Sequence, residues 1–327
     1  MNKNILIFLL AVCFVFSCDD VNQDQDPSDF QPLDSAGMDV STKNALPVKS
    51  LLTIMNVNKG TSFVAFESEM FFEAPNYTRD GRFIIFNSNG KLYKLQLYSD
   101  GLPEEIPTGF AQNCNNDHIV SPDGKSIGFS NQEKEKNISK IYVMPYLGGT
   151  PKLVTSKGPS YLHGWSPDAK KMIYCSERRG DFDIYSIEIT GKKETRLTNT
   201  KGLDDGPEYT PDGKQIYFNS ERTGLMQIWK MDVDGKNQTQ VTFDEYNNWF
   251  PHISPDGKKV AFLSYDKSIK GHQANKYVQI RLLDLATGKI KVLQKILGGQ
   301  GSINVNSWSP DSKSISFIVY EPLKSTY

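Results

Sequence analysis

Short apolar runs, each preceded by a polar turn signal, recur along most of the chain. The run "KQIYF" after "TPDG" (210–218) is typical, because its β-branched and aromatic residues favour a strand. Six segments share this pattern: "YTRDGRFIIF" (77–86), "VSPDGKSIGF" (120–129), "WSPDAKKMIY" (165–174), "YTPDGKQIYF" (209–218), "ISPDGKKVAF" (253–262) and "WSPDSKSISF" (308–317). The central Asp recurs at intervals of 43, 45, 44, 44 and 55 residues. Such a period predicts a repeated unit of four short strands.

The turn that opens each repeat is predicted to be structural. Pro suits the second position of a tight turn, Asp bonds to nearby backbone, and Gly tolerates positive φ. We therefore interpret the six turn Asp residues as parts of hairpins rather than of an active site.

The two ends of the chain predict how the repeats close. The sixth copy supplies only two strands, while "SLLTIMNVNKGTSFVAF" (50–66) reads as a third and fourth strand without a first and second. The sequence therefore predicts an all-β fold over 50–327, a six-bladed β-propeller whose last blade is closed by the N-terminal strands. The alternative is a separate N-terminal hairpin packed on an open solenoid.

The first residues have the pattern of an export signal. An apolar run at 5–16 is too short to span a bilayer, and it leads into "VFSC", which resembles a bacterial lipobox ending at Cys18. We interpret 1–18 as a lipoprotein signal peptide, Cys18 as the lipidated residue, and the Asp-rich segment 19–49 as a flexible tether. The protein would then be lipid-anchored in a bacterial cell envelope; the alternative is an ordinary secretory signal.

Charge and cysteine usage narrow the classes of partner. The formal net charge is −1 and Lys and Arg are scattered, which excludes the basic footprint of a nucleic-acid-binding protein. Cys114 and Cys175 lie in different repeats, and we expect them to be buried free thiols, although a disulfide between them is the alternative.

Repeats of the form Ser-Pro-Asp-Gly-Lys, then a strand, then "QIWKMDVDG" and "TQVTF" resemble the TolB-type β-propeller family over about 50–321. The resemblance implies a fold that serves in Tol-system envelope proteins, in peptidases with an added hydrolase domain and in oligogalacturonate lyases. No Gly-x-Ser-x-Gly motif is present, so the peptidase reading fails.

Candidate site residues lie just before each turn or in the loops between second and third strands, positions that share one face of a propeller. The candidates for acid–base chemistry are Asp204, Asp205, Glu208 and Arg222. The candidates for ligand binding are Asn116, Asp117, Tyr161, Arg178, Trp249, Asn304 and Asn306. The candidate metal ligands are His118, His163 and His252. The structural alternative is that these polar groups only satisfy backbone atoms along a wet channel.

Two functions fit this pattern. The first is a tethered propeller that binds an envelope protein, a peptide or an oligosaccharide through its polar axial face. The second is a carbohydrate-active enzyme, either a lyase similar to oligogalacturonate lyases or a glycoside hydrolase. A divalent ion, Mn²⁺, Zn²⁺ or Ca²⁺, is the candidate cofactor for the lyase.

Overall fold

The computed structural model describes residues 48–135 and 137–323, which form strands almost throughout. The strands before the third repeat are β1 (Val48–Asn56), β2 (Thr61–Ser68), β3 (Glu73–Tyr77), β4 (Phe83–Ser88), β5 (Lys91–Gln96), β6 (Glu104–Ile106), β7 (Cys114–Val120), β8 (Ser126–Glu133), β9 (Ile138–Pro145) and β10 (Lys152–Leu153). The remaining strands are β11 (Ser160–Trp165), β12 (Lys171–Glu177), β13 (Phe182–Glu188), β14 (Thr195–Arg196), β15 (Asp204–Tyr209), β16 (Gln215–Thr223), β17 (Leu225–Asp232), β18 (Thr239–Gln240), β19 (Tyr246–Ile253), β20 (Lys259–Asp266), β21 (Lys276–Asp284), β22 (Ile290–Gly298) and β23 (Ser314–Pro322).

These strands form six blades. Five antiparallel sheets have the orders β3-β4-β5-β6, β7-β8-β9-β10, β11-β12-β13-β14, β15-β16-β17-β18 and β19-β20-β21-β22, and we number them blades 1 to 5. The sixth sheet has the order β23-β1-β2, with Trp308 bridged to Ile315 on its inner side. The predicted six-bladed propeller is thus confirmed.

The predicted closure by the N-terminal strands is confirmed as well. Strand β1 pairs with β23 from Val48 opposite Pro322 to Asn56 opposite Ser314. Its other edge pairs with β2. Because the first strand of the ring is hydrogen-bonded to its last, the alternative of an open solenoid is wrong.

Apolar side chains fill the spaces between neighbouring blades. Each of six buried clusters draws mainly on two adjacent blades. Between blades 3 and 4, for example, Ile173 and Cys175 pack with Ile216 and Phe218. The near-continuous apolar runs of the sequence predict strands that are buried on both faces, and the clusters agree with this. Cys114 and Cys175 are both buried and free, as expected.

The six turns have the structural chemistry predicted for them. In every repeat the Ser or Thr hydroxyl donates to the turn Asp at 2.5–2.7 Å. The same Asp oxygen accepts the backbone N–H two residues later at 3.1 Å. These carboxylates therefore stabilise hairpins at the rim.

Two turns depart from the glycine rule, at Ala169 and Ser312, and the first of them allows a stability test. Ala169 has φ 58° where Gly213 of the next repeat has φ 69°. An L-residue pays a steric penalty in this region. We expect Ala169→Gly to raise the free energy of unfolding by about 0.5–1 kcal/mol in urea titrations, and Gly213→Ala to lower it by a similar amount. A loss of stability in Ala169→Gly would contradict the strain argument.

The predicted signal peptide, Cys18 and nearly all of the predicted tether lie outside the described residues and remain predictions. Within 48–135 and 137–323, no helix has the length and apolar character needed to cross a membrane.

Candidate functional site

Three inner strands carry a kink at the same repeat position, just before a proline. In β3, β15 and β19 the kinked residues are Ala74, Gly206 and Phe250, with φ of 54°, 60° and 54°. Each strand shifts register there, so two of its residues face one on the neighbouring strand. Such bulges redirect the side chains around them. The direction of each polar side chain near the axis therefore depends on whether its residue precedes or follows the kink.

Glu208 and His252, which follow two of these prolines, join neighbouring blades. Glu208 Oε1 accepts hydrogen bonds from the N–H of Ile253 (2.9 Å) and from Nδ2 of Asn306 (2.6 Å). His252 places Nδ1 2.9 Å from Glu208 Oε2 and Nε2 3.2 Å from the carbonyl of Ile303. These contacts contradict the predicted roles of Glu208 in acid–base chemistry, His252 in metal binding and Asn306 in ligand binding, because their polar groups hold blades 4, 5 and 6 together.

Asp204 and Arg222 form an ion pair within blade 4. Both Asp204 oxygens accept from Nη2 of Arg222, at 3.0 and 2.9 Å. The guanidinium also lies over the rings of Phe218 and Trp229, 5.4 and 4.7 Å from their centroids. The predicted catalytic roles of Asp204 and Arg222 are therefore contradicted, since each charge is neutralised by the other in the interior.

Two predicted ligand-binding residues are also structural. Trp249 is 1% exposed and belongs to the core between blades 5 and 6, so it offers no ring for a ligand to stack on. Arg178 donates to the carbonyl of Pro159 at 2.8 Å and to Glu194 at 3.1 Å, which fixes the loop before β11. Tyr161 remains half-buried on the axial face and packs beside Phe182.

The remaining candidates converge in what we term the axial cluster, which consists of Asp117, His163, Cys175, Asp205, His272 and Asn304. Nε2 of His163 lies 3.0 Å from Oδ1 of Asp205. One ligand atom from each of His163, Cys175 and Asp205 falls within 4.8 Å of the others, and all three residues are buried. No other such group of His, Cys, Asp or Glu occurs in the described part of the chain.

Asn304 joins blade 6 to the cluster. Its Nδ2 donates to Oδ1 of Asp117 at 2.8 Å and to the carbonyl of Asn116 at 3.2 Å. A further contact joins its backbone to His163. Asn304 belongs to blade 6 and these partners to blades 2 and 3, so its contacts join blades that are not neighbours in the ring.

His272 of the axial cluster lies in the long loop of blade 5. Its ring lies 4.7 Å from that of Trp249 and 5.4 Å from that of Phe250, and it interacts electrostatically with Asp205. The backbone carbonyl of Gln273 accepts from the hydroxyl of Tyr265 at 3.0 Å, which holds the loop down.

His118 does not join the cluster, so the prediction that His118, His163 and His252 form one metal site is wrong. The ring of His118 is fully buried, with Nδ1 3.4 Å from the carbonyl of Asn115. Burial lowers its pKa to about 4, which keeps it neutral. Of the three histidines, only His163 belongs to a group of three potential ligand residues.

The charges of the site are unequal. Burial alone would raise the pKa of Asp205, but His163 outweighs it and holds that pKa at about 2. Burial likewise opposes the charge of His163, yet Asp205 and Asp117 raise its pKa. Burial raises the pKa of Asp117. Burial also raises the pKa of the neighbouring Glu73, to about 7. The site thus holds one ion pair and two carboxyl groups without a cationic partner of their own.

Two members of the cluster were missed among the site residues predicted from the sequence. Cys175 was assigned to the core, although the residue seven positions after the turn Asp is also polar in three other repeats, at Asn87, Ser130 and Asn219. That recurrence was the available signal. His272 lies in the inserted loop of blade 5, which the sequence places on the same face as the other histidines, but it is not among the predicted metal ligands.

Comparison with known proteins agrees with this architecture. The family model for the TolB beta propeller domain matches residues 119–326. An uncharacterized protein of Agrobacterium fabrum is 45% identical over 285 residues, which are 87% of this chain and 97% of that protein. A solved structure of a TolB-like protein from Agrobacterium tumefaciens has a TM-score of 0.82 at 45% identity and covers 84% of this chain and 99% of its own. TolB from Acinetobacter baumannii, at 19% identity and TM-score 0.53 over 77% of this chain and 64% of its own, shares the fold.

Proposed function

The chain belongs to the TolB β-propeller family, and on that premise we propose that it is a lipid-anchored envelope protein that binds a protein or peptide partner over its axial face. Lipidation at Cys18 and the acidic segment 19–49 would keep the propeller near a membrane.

The observation that carries the proposal is the excess of carboxyl groups at the axis. Within 48–135 and 137–323, no Lys or Arg is hydrogen-bonded or ion-paired to Glu73 or Asp117. A buried carboxyl group without a counter-charge favours the binding of a cation that supplies one. A partner that presents a Lys or Arg side chain, or an N-terminal amine, has this complementarity.

The proposed binding surface is the face opposite the Asp-containing turns. Glu73, Asn115, Tyr161 and His272 are half-buried, whereas Asp117 is 2% exposed. The strand directions place the loops between second and third strands on the same face, where they would contact the rest of a partner. A partner segment would therefore contact Glu73 directly and sense the charge of Asp117 from nearby.

Selection of peptides from a random display library on the purified protein tests the proposal. We expect the selected peptides to be enriched in Lys and Arg, and their affinity to fall with salt. An Asp117→Asn variant should lose at least about tenfold in affinity, because a charge-assisted contact becomes a neutral one. The matched control is Glu105→Gln, an exposed residue of blade 1 paired with Lys91.

Selected peptides without a bias in charge, or equal losses in Asp117→Asn and Glu105→Gln, would contradict the proposal. Binding of neutral or anionic oligosaccharides in place of peptides would replace it with the glycan hypothesis.

A further inference from the structure

Three residues of the axial cluster offer a nitrogen, a sulfur and an oxygen as potential metal ligands, and one of these atoms, Oδ1 of Asp205, lacks a hydrogen bond. His163 supplies an imidazole nitrogen, Cys175 a thiol and Asp205 a carboxylate, all within 4.8 Å of one another. Cys175 and His163 both belong to blade 3, while Asp205 reaches them from blade 4. Two rigid sheets therefore fix the three groups.

We propose that His163, Cys175 and Asp205 bind one divalent transition-metal ion, with Zn²⁺ as the best match. Zn²⁺ takes nitrogen, sulfur and carboxylate ligands together, whereas Ca²⁺ and Mg²⁺ prefer oxygen alone. The thiol selects against Mn²⁺ for the same reason. This site differs from the histidine set expected from the sequence and does not depend on the nature of the partner.

The geometry between His163 and Asp205 is a second observation in favour of a shared cation. Oδ1 of Asp205 is buried and lies 3.0 Å from Nε2 of His163, yet it accepts no hydrogen bond of normal geometry. Two side chains that bind the same ion have their ligand atoms close together, but those atoms point at the ion and not at each other. Binding would release two protons to solvent, the thiol proton of Cys175 and the Nε2 proton of His163, and leave a thiolate and a neutral imidazole on the metal.

His272 belongs to the surroundings of the three ligands. Its ring lies against that of Phe250, on which the ring of His163 stacks, and it interacts electrostatically with Asp205. A tetrahedral ion held by three protein ligands keeps one position for water or another ligand.

Cobalt substitution tests the proposal directly. Co²⁺ added to the metal-free full chain is expected to bind at one equivalent and to give the near-ultraviolet absorption of a thiolate–cobalt bond. Cys175→Ser should abolish this band and weaken Zn²⁺ binding by at least about tenfold, more than a change outside the ligand shell. Cys114→Ser is the matched control, because Cys114 is the other buried free thiol and lies outside the cluster.

X-ray absorption of the Zn²⁺-loaded protein supplies a measurement that needs no variant, and it should show one sulfur at about 2.3 Å. Circular dichroism checks that Cys175→Ser is folded. The absence of stoichiometric binding, a cobalt band that survives in Cys175→Ser, or a zinc shell without sulfur would each overturn the assignment.

Discussion

An Asp204→Asn variant is expected to lose about 3–5 kcal/mol of unfolding free energy. Asp204 is 0% exposed, and both its oxygens accept from Arg222. Asparagine keeps the shape of the side chain and removes its charge. The guanidinium, only 12% exposed, would then lie against Phe218 and Trp229 without a counter-charge. The cost arises from that stranded charge rather than from one missing hydrogen bond.

Urea titrations of four proteins separate these contributions. Asp234→Asn is the control, because its ion pair with Lys236 is exposed and screened by solvent and should contribute little to stability. A double variant, Asp204→Asn with Arg222→Met, should recover part of the loss by removing the stranded charge. A loss below about 1 kcal/mol in Asp204→Asn alone would mean that solvent or other groups already satisfy Arg222.

A Glu73→Gln variant is expected to gain stability over the unmodified protein as pH rises. Burial raises the pKa of Glu73 from 4.5 to about 7, so the folded state disfavours the charged form. The protonated group therefore contributes stability at low pH, and this contribution is lost as pH rises from 4.5 to about 7. At about 1.4 kcal/mol for each pKa unit, the gain of the variant at neutral to mildly alkaline pH is about 3 kcal/mol.

Denaturation curves between about pH 4 and pH 8 measure this difference at each pH. Glutamine retains an oxygen and adds an N–H, so the contact with Asn87 can persist in either orientation of the amides. The Glu105→Gln variant, at an exposed site of the same blade, is the control for the substitution itself. Parallel stability curves for Glu73→Gln and the unmodified protein would show that Glu73 ionises freely in the folded state.

The sequence predicts the fold because each repeat carries its own turn and strand signals. The turn Asp, its Ser or Thr partner and the apolar strand recur at nearly constant spacing, and all six turns have the same hydrogen bonds. Closure also followed from counting strands. The repeat depends on chemistry local to each turn, and the closure depends on which strands the two ends of the chain lack; a sequence shows both directly.

The site could be predicted only as a region. Asp204 and Asp205 are adjacent in sequence, yet one is neutralised by Arg222 inside blade 4 and the other faces His163 of blade 3. Both residues precede the bulge at Gly206 and pair in regular register with Ser220 and Asn219, so strand alternation points their side chains to opposite faces. Which partner each one meets depends on how the blades pack, which is tertiary. Cys175 and His272 enter the cluster for the same kind of reason, through a neighbouring blade and an inserted loop.

The pairing of β1 with β23 also dictates the order in which the molecule can fold. Strand β1 is synthesised before any blade, but its partner β23 is the last strand made, and Val48 pairs with Pro322. During synthesis the edge of β1 that pairs with β23 stays without its partner while the strands of the five other blades are made. Such a long-range contact slows folding and leaves strand edges open to other chains. Secretion in an unfolded state, with the whole chain present before folding begins, would shorten that exposure.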